Sequence, residues 1–370
     1  MTQLSGTAGG TVDPTRLVRP EMRELGIYHL DLSPCRHKLD QNEVPYDLPR
    51  RMKRRIAERW IGRSWAQYPD FHCDAVRDLL ARHNGWNFEG TLVGNGSNEL
   101  LGIAMEALAR PGGEVLTIAP SFGLYPMFVR RAAAIPRVLL SDEDLRLPLA
   151  ALEAEVESDP TRPVILCSPN NPTGDAVSVA QVDRLLSKMQ GPLLLDNAYG
   201  EFSEHDYRLL LREHRHLVLF RTFSKAWSLG GLRLGYLLAD PELVHQLIKV
   251  KLPYNVGIAH GFAAEEVLRN PRTAERRVGA MLARRPQWQE MLESVGLTVF
   301  PSEANFFLVR LPLEHDADVV RRGLEVRGIR VRDVSRYPRL HGCLRVSVGN
   351  GRALRDVEAA LRDVLRPAER

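Results

Sequence analysis

Cysteine is scarce in this chain, and its four copies are dispersed. Cys35, Cys73, Cys167 and Cys343 form no CxxC pair, so neither a zinc site nor a disulfide framework is expected and no metal is assigned. No apolar run approaches the ~18 residues of a membrane span, and the first twenty positions hold no hydrophobic signal core. The expectation is a soluble, cytoplasmic protein without a membrane partner, in which the Asn95-Gly96-Ser97 sequon would meet no glycosylation enzyme. One-sided charge is missing too. Charged residues make up 26% of the chain and the formal net charge is +4, with both signs spread along it, so a nucleic-acid partner is not indicated. The densest basic run, Arg50 to Arg59, carries Met52, Ile56 and Trp60 at helical spacing and reads as a surface helix with a solvated charged face. A GxGxxG turn is also absent, because Glu99 occupies its last position in GNGSNE, so a dinucleotide fold is not supported.

What is present is a chain long enough, at 370 residues and 44% hydrophobic, for one large domain and a smaller one. The first dozen residues are small and polar and are expected to be disordered. Periodicity in Leu100, Leu101, Ala104 and Leu108 predicts a helix preceded by a turn with an N-cap. Five apolar runs follow: Glu114 to Ala119, Arg137 to Leu140, Pro163 to Cys167, Gly191 to Leu195 and Leu217 to Phe220. They do not alternate with polar residues and are separated by helical stretches, which predicts buried strands of a mostly parallel α/β sheet. Leu234 to Ala239 returns after too short a connection for a parallel crossover and is expected to be antiparallel. From Pro253 the pattern is helical, continuing through Arg277 to Ser294, and the remainder reads as a compact α+β tail of half-buried strands.

The stretch Arg221 to Tyr236, RTFSKAWSLGGLRLGY, carries the chemistry. Thr222, Ser224 and Arg233 offer hydroxyl and guanidinium donors to a dianion. Lys225 is then free for another task. A lysine near bound cations and shielded from water has a lowered pKa, which favours the neutral amine that forms a Schiff base with a carbonyl. Pyridoxal 5'-phosphate brings a phosphate and an aldehyde together and calls for a carboxylate partner at its ring nitrogen. Asp196, ending the apolar run GPLLL, is such a carboxylate, costly to bury without a cation. Asn171, in SPNNPTG, and Tyr199 can each donate to the ring oxygen. The helix start at Ser97 and Asn98 makes an anion site.

This lysine stretch resembles that of the fold-type I pyridoxal-phosphate aminotransferases, and within them the histidinol-phosphate aminotransferase family. Lys38 to Pro49 (KLDQNEVPYDLP) resembles the family motif L-D-x-N-E-N-P-Y-G, with Val44 where Asn is usual and Asp47 where Gly is usual. DNAYGEF has Asn197 where the family usually has Glu. The likeness covers nearly the whole chain from about Val18. It implies an α/β fold with a mostly parallel seven-stranded sheet in a large domain, residues 46–255. A smaller α+β domain is built from 18–45 and 256–370, behind a tail at 1–17. By the same likeness Ser97 and Asn98 cradle the cofactor phosphate with their amides and Phe122 is a candidate to stack on the pyridine ring, though it also reads as a core aromatic. Tyr68, in Tyr68-Pro69-Asp70, reaches the phosphate of the other subunit's cofactor, so a homodimer is implied. The likeness also places Tyr28 over the substrate, though a lone tyrosine before a loop equally reads as packing. Arg345 grips the substrate carboxylate, and Arg332 matches an arginine that faces a distal phosphate. As isolated residues, both arginines would read as solvated surface groups.

The activity implied is transamination of histidinol phosphate with 2-oxoglutarate in histidine biosynthesis. It is a ping-pong scheme in which Lys225 first carries the cofactor and then moves the substrate Cα proton. Three other readings share these residues: a threonine-phosphate-type decarboxylase, an aromatic or general aminotransferase, and a DNA-binding regulator that senses the cofactor. Only some twenty loosely patterned residues precede the match, too few for the regulator's helix-turn-helix module.

Overall fold

The computed structural model describes residues 13–23, 25–26 and 33–366. The first twelve residues and Tyr28 lie outside the described residues, so the expectations placed on them do too. Residues 14–17, counted above with the tail, form one exposed 3-10 turn capped by Asp13.

Seven strands make the larger sheet: β2 (Thr91–Gly94), β3 (Glu114–Ala119), β4 (Ile135–Leu140), β5 (Val164–Cys167), β6 (Leu193–Asp196), β7 (Leu217–Thr222) and β8 (Gly235–Leu238). A first strand, β1 (His37–Leu39), precedes them and belongs elsewhere. The order across the sheet is β2-β8-β7-β6-β5-β3-β4. Strands β7, β6, β5, β3 and β4 are parallel, and β8 opposes both β7 and β2, as its short connection requires. Because β2 and β7 both oppose β8, they run the same way. The carboxyl ends of β2, β3, β5, β6 and β7 therefore meet along one edge, where open α/β sheets hold ligands.

Two readings of this sheet need correction. Thr91–Gly94 is a fully buried strand, although at four residues it passes in the sequence for the turn before the following helix. The strand at Arg137 to Leu140 is not buried. It starts at Ile135 and forms the edge of the sheet, with Ile135, Val138 and Leu140 at 53, 43 and 48% exposure. Its apolar run mimics a central strand, yet only β3 flanks it.

The second sheet has the order β1-β11-β12-β10-β9, the new members being β9 (Thr298–Val299), β10 (Phe306–Arg310), β11 (Ile329–Asp333) and β12 (Cys343–Ser347). Its one parallel pair joins β1 to β11, so the chain's early segment completes a sheet built from its last third. These strands were expected to be half-buried, but β10 and β12 are buried nearly throughout. Helices cover one face, and the Lys225 edge of the larger sheet covers the other, where Tyr199 meets Phe306 edge-on at 5.1 Å.

The helical region after Pro253 is three helices, Ile258–Leu268, Arg272–Leu282 and Arg285–Ser294. The run expected to continue from Arg277 to Ser294 breaks before Pro286, which lacks an N–H and is tolerated only in a first turn. Trp288 and Leu292 are fully buried there. The basic run is the helix Arg50–Ile61 with Met52 inward. Its charged face is not simply solvated. Arg55 and Arg59 pair with Glu266 and Glu265, two carboxylates only 6% exposed. Among the described residues no helix is long and apolar enough to cross a membrane.

Candidate active site

Strand β7 is buried along its full length and delivers Thr222 to the sheet edge, where the chain turns sharply through Ser224 and Lys225. The Ser224 N–H donates to Thr222 Oγ1 at 3.1 Å, closing that turn. Arg233 folds back with φ +46°, and its Nη1 donates to Ser224 Oγ and the Gly230 carbonyl, each at 3.1 Å. Beside it, the helix Ser97–Leu108 begins after Gly96 with no side-chain cap, so the first-turn N–H groups that a helix cannot satisfy internally are free of capping side chains. Two glycines permit this packing. A Cβ on Gly96 would sit 2.8 Å from Arg233 Nη2, and one on Gly235 would press into the backbone of Gly96 and Ser97. The result is one corner holding two hydroxyls, a guanidinium and a helix N-terminus.

Lys225 stands next to that corner. Its Nζ donates to the Gln41 carbonyl at 2.6 Å. Burial, together with the Arg345 and Arg233 charges, lowers its pKa from 10.5 to about 7, with Glu43 opposing. Asp196 ends β6, 5% exposed. Its carboxylate accepts the Tyr125 hydroxyl at 2.7 Å and the Ala198 N–H at 3.2 Å. Burial raises its pKa, and the Tyr125 hydrogen bond holds it back. Tyr199 is buried, and desolvation raises its hydroxyl pKa. Its ring centroid is 5.8 Å from the Lys225 amine.

From β5, the loop Ser168 to Gly174 brings Asn171 into the same space. Arg345 on β12 donates from Nη1 to the Asn171 amide oxygen and from Nη2 to the Asp40 carbonyl. The Asn171 NH2 is thereby turned away from Arg345. Arg332 faces Arg345 directly across the β11–β12 pair, so both side chains rise from one face of the sheet.

One cavity of about 130 Å³ is lined by Ser97, Asn98, Phe122, Asn171, Asp196, Tyr199, Thr222, Ser224, Lys225 and Arg233, with Cys167 and Ala198 added. Ten of the candidate cofactor residues thus converge. Tyr68 is not among them: it is 75% exposed and stacks on Tyr254 at 4.5 Å. Reading the sequence missed four contacts here: the Gln41 and Asp40 carbonyls, Tyr125, and Asn42, whose Nδ2 donates to the Tyr199 hydroxyl at 2.9 Å. Gln41 and Asn42 lie within the motif at Lys38 to Pro49, but nothing in its text says which atoms turn inward. Tyr125 looks like any first-turn helix residue. Asn197, the departure at DNAYGEF, is buried and accepts from Arg221 Nη1 at 2.8 Å while donating to the Ser168 carbonyl at 2.6 Å. Arg221 takes its carboxylate from Glu201 instead, at 2.9 Å.

The donor set suits pyridoxal phosphate. It offers an anion corner, an adjacent amine with a lowered pKa, and, among the described residues, a buried carboxylate whose hydrogen bonds come only from neutral donors.

Residues 37–363 match the family described as aminotransferase class I and II. The histidinol-phosphate aminotransferase of Deinococcus radiodurans is 34% identical over 336 residues, 90% of this chain and 92% of that protein. That of Chlorobium phaeovibrioides is 35% identical, covering 95% and 97%. In fold, the crystal structure of histidinol-phosphate aminotransferase from Sinorhizobium meliloti in complex with pyridoxal-5'-phosphate aligns with a TM-score of 0.83 over 94% of this chain and 97% of that one, at 23% identity.

Proposed function

This chain belongs to the aminotransferase class I and II family, and from that premise we propose that it transfers the amino group of histidinol phosphate to 2-oxoglutarate in histidine biosynthesis, using pyridoxal 5'-phosphate. The observation that carries the reading is the convergence on one cavity of the Lys225 amine, the Asp196 carboxylate and the corner of Ser97, Asn98, Thr222, Ser224 and Arg233. The names of relatives 34 and 35% identical supply the substrate.

The anion corner would hold the cofactor phosphate, and Phe122, which lines the same cavity, would lie against the ring. Asp196 would keep a proton on the ring nitrogen, the role that suits a buried carboxylate whose hydrogen-bond donors, among the described residues, are neutral. Asn171 and Tyr199 donate to the ring oxygen. When bound, the cofactor supplies an aldehyde to which amines add and a ring that withdraws electrons from the substrate Cα. Lys225 Nζ, its pKa lowered to about 7 by burial, would take the proton from the substrate Cα and pass that proton to the cofactor carbon. Arg345 pairs with the substrate carboxylate, and Arg332, rising beside it, faces the distal phosphate. Tyr28 is assigned above the substrate by resemblance alone.

We also propose a homodimer located in the cytoplasm. Trp60 stacks on Trp65, and Tyr68 and Phe71 each pack on Tyr254, all five rings exposed, a surface that a second copy would cover while Tyr68 reaches its phosphate site. The four free cysteines suit a reducing compartment.

The test is a donor screen with purified protein, pyridoxal phosphate and 2-oxoglutarate, read as glutamate formed. Histidinol phosphate should outcompete phenylalanine, and borohydride should fix the cofactor on Lys225. Fixation on another residue, or carbon dioxide released from threonine phosphate in place of glutamate formation, would overturn the reading.

A further inference from the structure

Asn42 is fully buried and lies between the two sheets, and its hydrogen bonds form a closed set. Its N–H donates to Ser347 Oγ at 3.0 Å, and the Ser347 hydroxyl donates back to Asn42 Oδ1 at 3.1 Å. The Asn42 carbonyl accepts from Asn305 Nδ2 at 2.9 Å. As the amide is placed, Oδ1 accepts from Ser347, and Nδ2 is left as a donor. It donates to the Tyr199 hydroxyl at 2.9 Å. A hydroxyl has one proton and accepts through its lone pairs. The Tyr199 oxygen is therefore an acceptor on the Asn42 side, and its own proton must point elsewhere, with the cavity beside Lys225 on its open side.

We propose that Asn42 is a positioning residue that fixes Tyr199 as a hydrogen-bond donor toward the cofactor's ring oxygen, and that Ser347 and Asn305 carry this setting from the smaller sheet. The assignment rests on the proposed cofactor role of Tyr199. It gives the smaller sheet a direct hand in the site, because the strand bearing Arg345 also bears Ser347, two residues on.

Backbone conformation guides the test. Asn42 has φ +56°, a left-handed geometry that Asn, Asp and Gly accept and most residues resist. Asn42→Asp keeps shape and volume but replaces the donor with an acceptor, which would draw the Tyr199 proton toward itself. Asn42→Gly removes the side chain without backbone strain. The readout is the pH midpoint of the bound cofactor's absorbance change, with cofactor affinity measured alongside. The charged and titratable groups facing Tyr199 are Arg345, Asp196, Cys167 and Lys225; Asn42→Asp adds one carboxyl to this set and Asn42→Gly adds none, so Asn42→Gly is the variant that isolates the lost donor.

A donor to the ring oxygen stabilises its anion and so favours the deprotonated chromophore. Losing that donor raises the midpoint, by about one pH unit or tenfold in proton affinity for one charge-assisted hydrogen bond. Tyr199→Phe should give this shift, Asn42→Gly a smaller one, and Asn42→Asp at least the full one. In the Tyr199→Phe background Asn42→Gly should add nothing, since the group it positions is gone. Equal shifts from Asn42→Gly in both backgrounds, or no shift in either while Tyr199→Phe still moves the midpoint, would overturn the inference. Purified wild-type protein that gains no absorbance with pyridoxal phosphate, or titrates as Tyr199→Phe does, would instead remove the cofactor reading beneath it.

Discussion

Titrating the Lys225 amine in cofactor-free protein tests the central electrostatic feature of the site. Its pKa falls from 10.5 to about 7, chiefly because burial penalises the ammonium form and secondly because of the Arg345 guanidinium. At pH 7 about half of the molecules then carry a neutral amine, against roughly one in three thousand for an ordinary lysine. Competitive labelling with trace acetic anhydride between pH 5.5 and 10, with each lysine peptide quantified by mass spectrometry, should place the Lys225 midpoint near 7 and the surface lysines near 10. Arg345→Met removes a like charge and should raise the Lys225 midpoint by on the order of one unit. Stability follows with a definite sign. Between pH 7 and 10.5 the unfolded chain binds a proton at this lysine that the folded chain does not, so folding gains stability as pH rises, at most about 1.4 kcal/mol per unit. Lys225→Met should flatten that slope in denaturant melts. A Lys225 midpoint near 10, or one that Arg345→Met leaves unmoved, would refute this account of the site.

Tyr125→Phe removes the hydroxyl that donates to Asp196; cofactor affinity should fall by about tenfold, as expected for one charge-assisted hydrogen bond, by equilibrium absorbance titration. Gly235→Ala drives a methyl into the Gly96–Ser97 backbone, so phosphate competition for the cofactor site should weaken severalfold along with about 1–3 kcal/mol of stability. Glu201→Gln leaves the buried Arg221 guanidinium without a carboxylate, which should cost about 3–5 kcal/mol by urea unfolding, and a smaller loss would mean that Asn197 alone satisfies it.

The parts that sequence made legible share one property: their signal is carried by consecutive residues. The apolar runs of β3, β5, β6 and β7 mark a parallel sheet, and the loops after them carry Phe122, Asn171, Asp196 and Lys225, because topology alone sends those loops to one edge. Exposure is different. The run at β4 reads like its neighbours, and only the sheet order, which leaves it at the margin, makes it half-exposed. The same limit makes β10 and β12 read as half-buried, since the second covering layer is the Lys225 edge itself, distant in sequence from both. Asn42 and Tyr125 belong to this long-range class. Each acts through one hydrogen bond to a residue at least seventy positions distant, and neither residue type nor spacing encodes such a partner. Residues proposed to hold the cofactor can therefore be named from a motif, whereas Asn42 and Tyr125, which hydrogen-bond to Tyr199 and Asp196, become visible only when the chain is folded.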